Sequence, residues 1–231
     1  MIEIRNLTFT YPDGRKAIEG INLNIHASER VGLIGPNGAG KSTLLLHLNG
    51  IYSGYGDLKV NGLEVIKKNH KQIRSIVGIV FQNPDDQLFS TTVFEDVAYG
   101  PIYQGLNINI IQERVNNALM AVSMIDYIDR IPLHLSVGEK KRIAIASVLS
   151  MHPEILVLDE PSAGLDPRSR RELMELLYDL PQTMVIASHD LDLVNKLTDR
   201  SIILYGGKIV ADGQTKEILS NLSLLDKYEL L

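Results

Sequence analysis

Apolar and polar positions alternate from the first residues. Ile2, Ile4, Leu7, Phe9 and Tyr11 stand against Glu3, Arg5, Thr8 and Thr10, which predicts a half-buried strand over Ile2–Tyr11. Gly20–Ile25 repeats the pattern, with the turn signal Tyr11-Pro12-Asp13-Gly14 between the two. Val31–Ile34 is a short apolar run that opens into a glycine-rich stretch, and Lys41–Asn49 then reads as helix. Asp57–Val60 followed by Asn61-Gly62 predicts a hairpin, and Val77–Phe81 a buried strand. From about Asn83 to Met151 the period becomes helical, over Val93–Tyr103, Gln112–Met124 and Gly138–Met151, with Pro84, Pro101 and Pro132 as punctuation. Ile155–Leu158, Met184–Ala187 and Ser201–Leu204 are again buried-strand runs separated by helical segments, and Thr215–Leu231 holds the last core helices.

This order predicts a largely parallel sheet with helices on its faces and a helical lobe inserted into it. The expected organisation is one domain over 1–231, with a core of about 1–82 and 152–231 and a helical subdomain of about 83–151. The 231 residues, 45% hydrophobic, are ample for a packed core. A formal charge of -5 supplies no bulk attraction for nucleic acid or anionic lipid. Cysteine is absent, which removes disulfides and thiolate chemistry. The N-terminus lacks the basic start and apolar run of a secretory leader, and no stretch approaches the ~18 apolar residues of a membrane span. The expectation is a soluble chain whose membrane role, if any, comes through a partner.

Gly35-Pro36-Asn37-Gly38-Ala39-Gly40-Lys41-Ser42 satisfies G-x-x-x-x-G-K-[ST] at every fixed position, between a predicted strand and a predicted helix. Glycines let such a loop wrap closely so that backbone N–H groups point inward, and the following helix offers its positive end to phosphates. Lys41 is expected to reach the β- and γ-phosphates, and the Ser42 hydroxyl to bind Mg²⁺. Asp159 and Glu160 end the apolar run Ile155–Leu158, at the carboxyl end of a strand, where parallel sheets bind ligands. Asp159 is placed to hold Mg²⁺ and Glu160 to polarise an attacking water; capping a helix after Pro161 is the plainer role for both. Ser188-His189-Asp190 follows another buried strand. Three adjacent side chains cannot converge as a hydrolase triad, so His189 either senses a γ-phosphate or simply precedes a helix capped by Asp190. His26, His47, His70, His134 and His152 show no metal-ligand spacing.

With these motifs in hand, the chain resembles, along nearly its whole length, the nucleotide-binding subunits of ABC transporters. Leu135-Ser136-Val137-Gly138-Glu139 resembles the family signature LSGGQ, and Ser162-Ala163-Gly164-Leu165-Asp166 its D-loop. Gln82 matches the Q-loop glutamine, His189 the switch histidine and Tyr11 the aromatic that stacks on adenine. The resemblance implies an α/β P-loop NTPase core with a mixed, largely parallel sheet, an N-terminal antiparallel β subdomain and an inserted helical subdomain. It implies ATP and Mg²⁺ as ligands, held by Tyr11, the loop residues Gly35, Asn37, Gly38, Ala39, Gly40, Lys41 and Ser42, and Thr43. Ser42, Gln82 and Asp159 would complete the Mg²⁺ environment, with Glu160 as general base, His189 at the γ-phosphate and Gln82 at the water. Two chains sandwich two ATPs in this family, so Ser136, Gly138 and Glu139 of one chain would face the nucleotide of the other.

Val137 departs from the signature, which has glycine there. A β-branched residue is costly if the position needs φ > 0 and harmless if it needs only an N–H at a helix start. Glu139 for glutamine keeps an acceptor and adds a charge favourable at a helix N-terminus. A narrower resemblance, carried by Phe81–Phe89, Val93–Val97, Gly100-Pro101 and Gly138–Ala146, is to the ATPases of energy-coupling-factor importers of transition metals, biotin and other vitamins. It implies a transmembrane coupling subunit and a substrate-binding membrane subunit as partners. It also implies a peripheral position on the cytoplasmic face of the membrane, and a homodimer or a heterodimer with a related ATPase. The alternative is a non-transport ABC ATPase acting on nucleic acid or ribosomes, which the missing coiled-coil arms and the acidic charge disfavour.

Overall fold

The computed structural model describes residues 1–231. The strands are β1 (Ile2–Thr10), β2 (Lys16–Ile25), β3 (Arg30–Ile34), β4 (Tyr55–Val60), β5 (Leu63–Glu64), β6 (Val77–Val80), β7 (Ile155–Asp159), β8 (Thr183–Ala187), β9 (Arg200–Tyr205) and β10 (Lys208–Gln214). The helices are α1 (Lys41–Leu48), α2 (His70–Ile76), α3 (Val93–Gln104), α4 (Ile108–Ala121), α5 (Val137–Leu149), α6 (Pro167–Asp179), α7 (Leu191–Leu197), α8 (Thr215–Ser220) and α9 (Leu222–Lys227). One sheet is antiparallel, in the order β2-β1-β4-β5; the other is six-stranded, in the order β10-β9-β3-β8-β7-β6. Five neighbours in the second, β9 to β6, run parallel, and only the edge strand β10 is antiparallel. No helix is long and apolar enough to cross a membrane.

The parallel strands lack alternation because both of their faces are covered. Ile155 and Val157 of β7 join the core shared with β1, β2 and α1, while Leu156 and Leu158 point the other way into the core shared with α3, α4 and α5. Asn61 and Gly62 both take positive φ, 50° and 77°, the two-residue turn that joins β4 to β5 as the Asn-Gly pair predicts.

Several boundaries differ from the sequence reading. β2 starts at Lys16, and α4 runs from Ile108 to Ala121 because Asn107 accepts the Ile110 N–H as its N-cap. β10 and α2 carry too little periodic signal to stand out, β10 being a half-exposed edge and α2 burying only Ile73. α3 matches the helical period over Val93–Tyr103 and so carries Pro101 within it. The proline's missing N–H would orphan the Val97 carbonyl, and the Ser150 hydroxyl donates to that oxygen instead, at 2.7 Å.

Candidate active site

The glycine-rich loop leaves β3 and enters α1, so its backbone is fixed between a central parallel strand and a helix N-terminus. Gly40 has φ +103°, and a Cβ there would come within 2.5 Å of the Ala17 carbonyl; a Cβ on Gly35 would come within 2.2 Å of the Leu204 carbonyl. Glycine is required at both. Lys41, almost buried, donates to the carbonyls of Gly35 at 2.6 Å and Pro36 at 3.2 Å. Burial holds its pKa below the ordinary lysine value, against the opposing pull of Glu160 and Asp159.

A cleft of about 610 Å³ brings together Tyr11, Gly35–Thr43, Gln82, Glu160 and His189. Tyr11, just past β1, hydrogen-bonds the Thr43 hydroxyl at 2.8 Å, meets Phe9 edge-on at 5.2 Å and carries the Arg15 guanidinium 4.8 Å from its ring centre. Gln82 follows β6. Asp159 ends β7, and Glu160 is the next residue, in left-handed backbone with φ 45°. For a residue other than glycine that conformation costs about 1–3 kcal/mol, and it is held from several sides. The Glu160 N–H donates to the Ala187 carbonyl at 2.8 Å, and its carboxylate accepts from the His189 N–H at 3.1 Å and lies 2.7 Å from His189 Nδ1. Neither acid caps a helix, because the next one, α6, begins at Pro167 and is capped by Asp166. Asp190 caps α7, so the sequence Ser-His-Asp gives a helix cap and a histidine turned to Glu160, with the His189 side chain two-thirds exposed.

Asp159, the neighbour of Glu160, is not among the cleft's lining residues. Burial raises its pKa, the Ser42 hydroxyl lowers it, and Oδ1 is buried with no hydrogen-bond partner. An orphaned carboxylate oxygen beside a serine hydroxyl is a hard-oxygen donor set of the kind Mg²⁺ takes, so these residues fit that ion.

Ser136, Gly138 and Glu139 are not among the cleft's lining residues. They start α5 in a reciprocal cap. The Glu139 N–H donates to Ser136 Oγ at 3.4 Å, and the Ser136 N–H donates to Glu139 Oε2 at 2.8 Å. The Ser136 hydroxyl, which donates to Glu139 Oε2 at 2.7 Å, and then the Ser136 N–H hold the Glu139 carboxyl below the usual glutamate range. Val137 is the first helical residue and has no positive φ, so the costly alternative for this position is excluded.

A model of the ABC transporter family matches residues 18–163. The chain belongs to the ABC transporter family. Among its relatives, this ATPase is 47% identical over 236 aligned positions to the energy-coupling factor transporter ATP-binding protein EcfA of Methanocaldococcus jannaschii, covering 100% of this chain and 85% of that one. Among solved structures, cbiO1 of Clostridium perfringens, part of the ABC transporter complex cbiONQ, matches with a TM-score of 0.86 at 38% identity, over 99% of this chain and 94% of that one. A dimeric post-hydrolysis structure of the ATP-binding cassette MJ0796, bound to ADP and Pi, matches with a TM-score of 0.85 at 26% identity, over 93% and 99%. The ABC ATPase fold expected from the motifs is therefore the fold found.

Sequence reasoning missed Lys141. It lies on α5, is 3% exposed and donates to the backbone carbonyls of Gln82 and Glu160, each at 3.1 Å. Burial pushes its pKa down to about 8, against Glu160 and Asp159. The signal was its spacing: Lys141 falls three and four residues before Ala144 and Ile145, on the apolar stripe of α5, where a run of basic residues reads at first as solvated surface.

Proposed function

We propose that this ABC ATPase powers an energy-coupling-factor importer of a transition-metal ion or a vitamin, working as a dimer on transmembrane partners. The observation that carries the hydrolytic reading is the convergence of Lys41, Ser42, Gln82, Glu160 and His189 on one cleft at the carboxyl edge of the parallel sheet. The EcfA and cbiO1 relatives support the importer class. In this reading the division into a core of about 1–82 and 152–231 and a helical subdomain of about 83–151 lets the lobe move on the core.

ATP enters with its base against Tyr11 and its phosphates against the backbone of Gly35, Asn37, Gly38, Ala39 and Gly40, with Ser42 and Thr43 at the helix start. Lys41 releases its two loop carbonyls and turns its ammonium to the β- and γ-phosphates. Ser42 and Asp159, with Gln82 beside them, would hold Mg²⁺, which would supply charge neutralisation at the phosphates. Glu160 accepts the proton of the attacking water, and His189, already against that carboxylate, orients it and steadies the γ-phosphoryl group. Ser136, Gly138 and Glu139 lie outside their own chain's cleft, which supports their acting on the nucleotide of a second chain. A helix N-terminus arriving there adds charge stabilisation only when the dimer closes. Val137 leaves the backbone N–H at the start of α5 free to serve that role. A transmembrane coupling subunit and a substrate-binding membrane subunit would hold the ATPase at the cytoplasmic face of the membrane.

The test is the solution mass of Glu160→Gln with and without Mg-ATP, beside phosphate release by the wild type. An ATP-dependent shift from monomer to dimer, with turnover lost in the variant, is expected. A variant that stays monomeric would sink the homodimer and leave a related ATPase as the second chain. For the importer class, cells whose sole copy carries Glu160→Gln should lose uptake of labelled cobalt, nickel or a vitamin; unchanged uptake of all of them would overturn that assignment.

A further inference from the structure

Lys141 is a buried ammonium with no carboxylate within ion-pair distance, although its neighbours on α5 both have one: Lys140 with Asp85 and Arg142 with Glu172. An unpaired buried charge is expensive and persists only where its hydrogen bonds do something a neutral side chain cannot. Its partners are specific. One is the carbonyl of Gln82, where β6 opens into the segment that holds Asp85 and Gln87; the other is the carbonyl of Glu160, the residue in left-handed backbone after β7. β6 and β7 are adjacent parallel strands, so a single Nζ spans the exits of both.

Other contacts from α5 stop short of the reacting groups. Gln87 donates to the Ala144 carbonyl and to Ser147 Oγ, and Lys140 holds Asp85, but neither reaches β7. Glu160 is gripped through its N–H by Ala187 and through its carboxylate by Ser188 and His189. Its carbonyl accepts from both the Ala163 N–H and Lys141 Nζ, each at 3.1 Å, and Lys141 is the donor that comes from α5. With φ at 45°, the peptide leaving Glu160 points in a direction that ordinary extended backbone does not support. The Ala163 N–H fixes that carbonyl locally, and the Lys141 cation ties it to α5 and to the Gln82 carbonyl, which favours this orientation and therefore the placement of the carboxylate.

We propose that Lys141 is a positioning residue for hydrolysis. Its ammonium, bridging the carbonyls of Gln82 and Glu160, ties α5 to both loops and holds the Glu160 carboxylate and the Gln82 side chain in register over the cleft. It does not touch the nucleotide. This rests on Glu160 and Gln82 serving the roles given above.

Steady-state ATPase assays and thermal unfolding of wild type, Lys141→Met and Lys141→Gln test it. Methionine fills the same volume without the charge or the donors, so its thermal midpoint should equal or exceed that of the wild type. Its kcat should fall at least about ten-fold while KM for ATP stays within about two-fold, the pattern of a defect in the reacting step rather than in binding. Glutamine restores an N–H donor and should recover part of the lost kcat at a similar midpoint. A Lys141→Met enzyme with wild-type kcat would overturn the inference. So would equal losses in both variants that track a lowered midpoint, since that is the signature of a merely structural lysine. A wild type that releases no phosphate would overturn the hydrolytic roles as well, whereas active wild type beside equally active Lys141→Met would overturn this inference alone.

Discussion

Glu160 shows how one residue concentrates the demands of a site. Its backbone is strained, its N–H and carbonyl are both tied, and its carboxylate faces a histidine. Such over-determination sustains a left-handed non-glycine residue where the strain serves function. If the carboxylate is the base, Glu160→Gln lowers phosphate release by at least about a hundred-fold in a single-turnover assay while nucleotide affinity persists. His47 makes a different prediction. Its Nδ1 lies 2.7 Å from the Thr43 carbonyl, which only accepts, so Nδ1 carries the proton and Nε2 is left buried without a partner. Burial holds the imidazole pKa below its ordinary 6.5, with the Thr43 carbonyl opposing. As pH falls below that value the unfolded chain takes up a proton that the native chain refuses. Stability is therefore full above about pH 6.5 and declines below it, until the native pKa is reached. His47→Phe should lack this component, so the urea midpoint of the wild type should fall relative to that of the variant as pH falls from about 7 to about 5.

At the scale of elements, caps and orphaned groups decide where helices begin and survive. Thr92–Glu95 and Ser136–Glu139 form the same reciprocal cap at the starts of α3 and α5, and both are legible as a hydroxyl residue followed three places later by glutamate. A proline inside a helix, such as Pro101 in α3, is tolerable where another group satisfies the freed carbonyl, and that group, Ser150, comes from α5's far end in three dimensions. Ser150→Ala leaves the buried Val97 carbonyl without a donor and should cost about 1–3 kcal/mol in equilibrium unfolding. An unchanged urea midpoint would show that α3 relaxes around the proline by itself.

Across the whole molecule, the two sheets are joined by packing around α1 and by polar ties that no local pattern announces. Arg200, at the start of β9, grips Asp212 of β10 through two bonds of 2.6 Å, reaches Glu29 at 2.9 Å and donates to the Asn24 carbonyl of β2 at 3.0 Å. Hydrogen bonding to Asp212 raises its pKa above the ordinary arginine value, partly offset by burial. This one guanidinium connects both sheets, so Arg200→Met should lower global stability by about 2 kcal/mol, read as a shift of a single cooperative unfolding transition. Loss of an isolated low-temperature transition instead would mean that the sheets unfold separately.

Much of what is contiguous is legible in the chain. The phosphate loop, the turn Asn61-Gly62, the acidic end of β7 and the caps of α3 and α5 depend on residues a few positions apart, whose local chemistry admits few conformations. Most strands of the buried sheet were also visible, because a short apolar run between turn signals has little else to become. What the tertiary structure decided is convergence. It turned Glu160 toward His189, excluded both acids from capping, covered Tyr11 with Arg15 and kept Ser136 away from its own chain's cleft. It also placed Lys141 between two strand exits, 59 and 19 residues away along the chain. Distances of that kind follow from how sheet and helices pack, and no period in the sequence carries them.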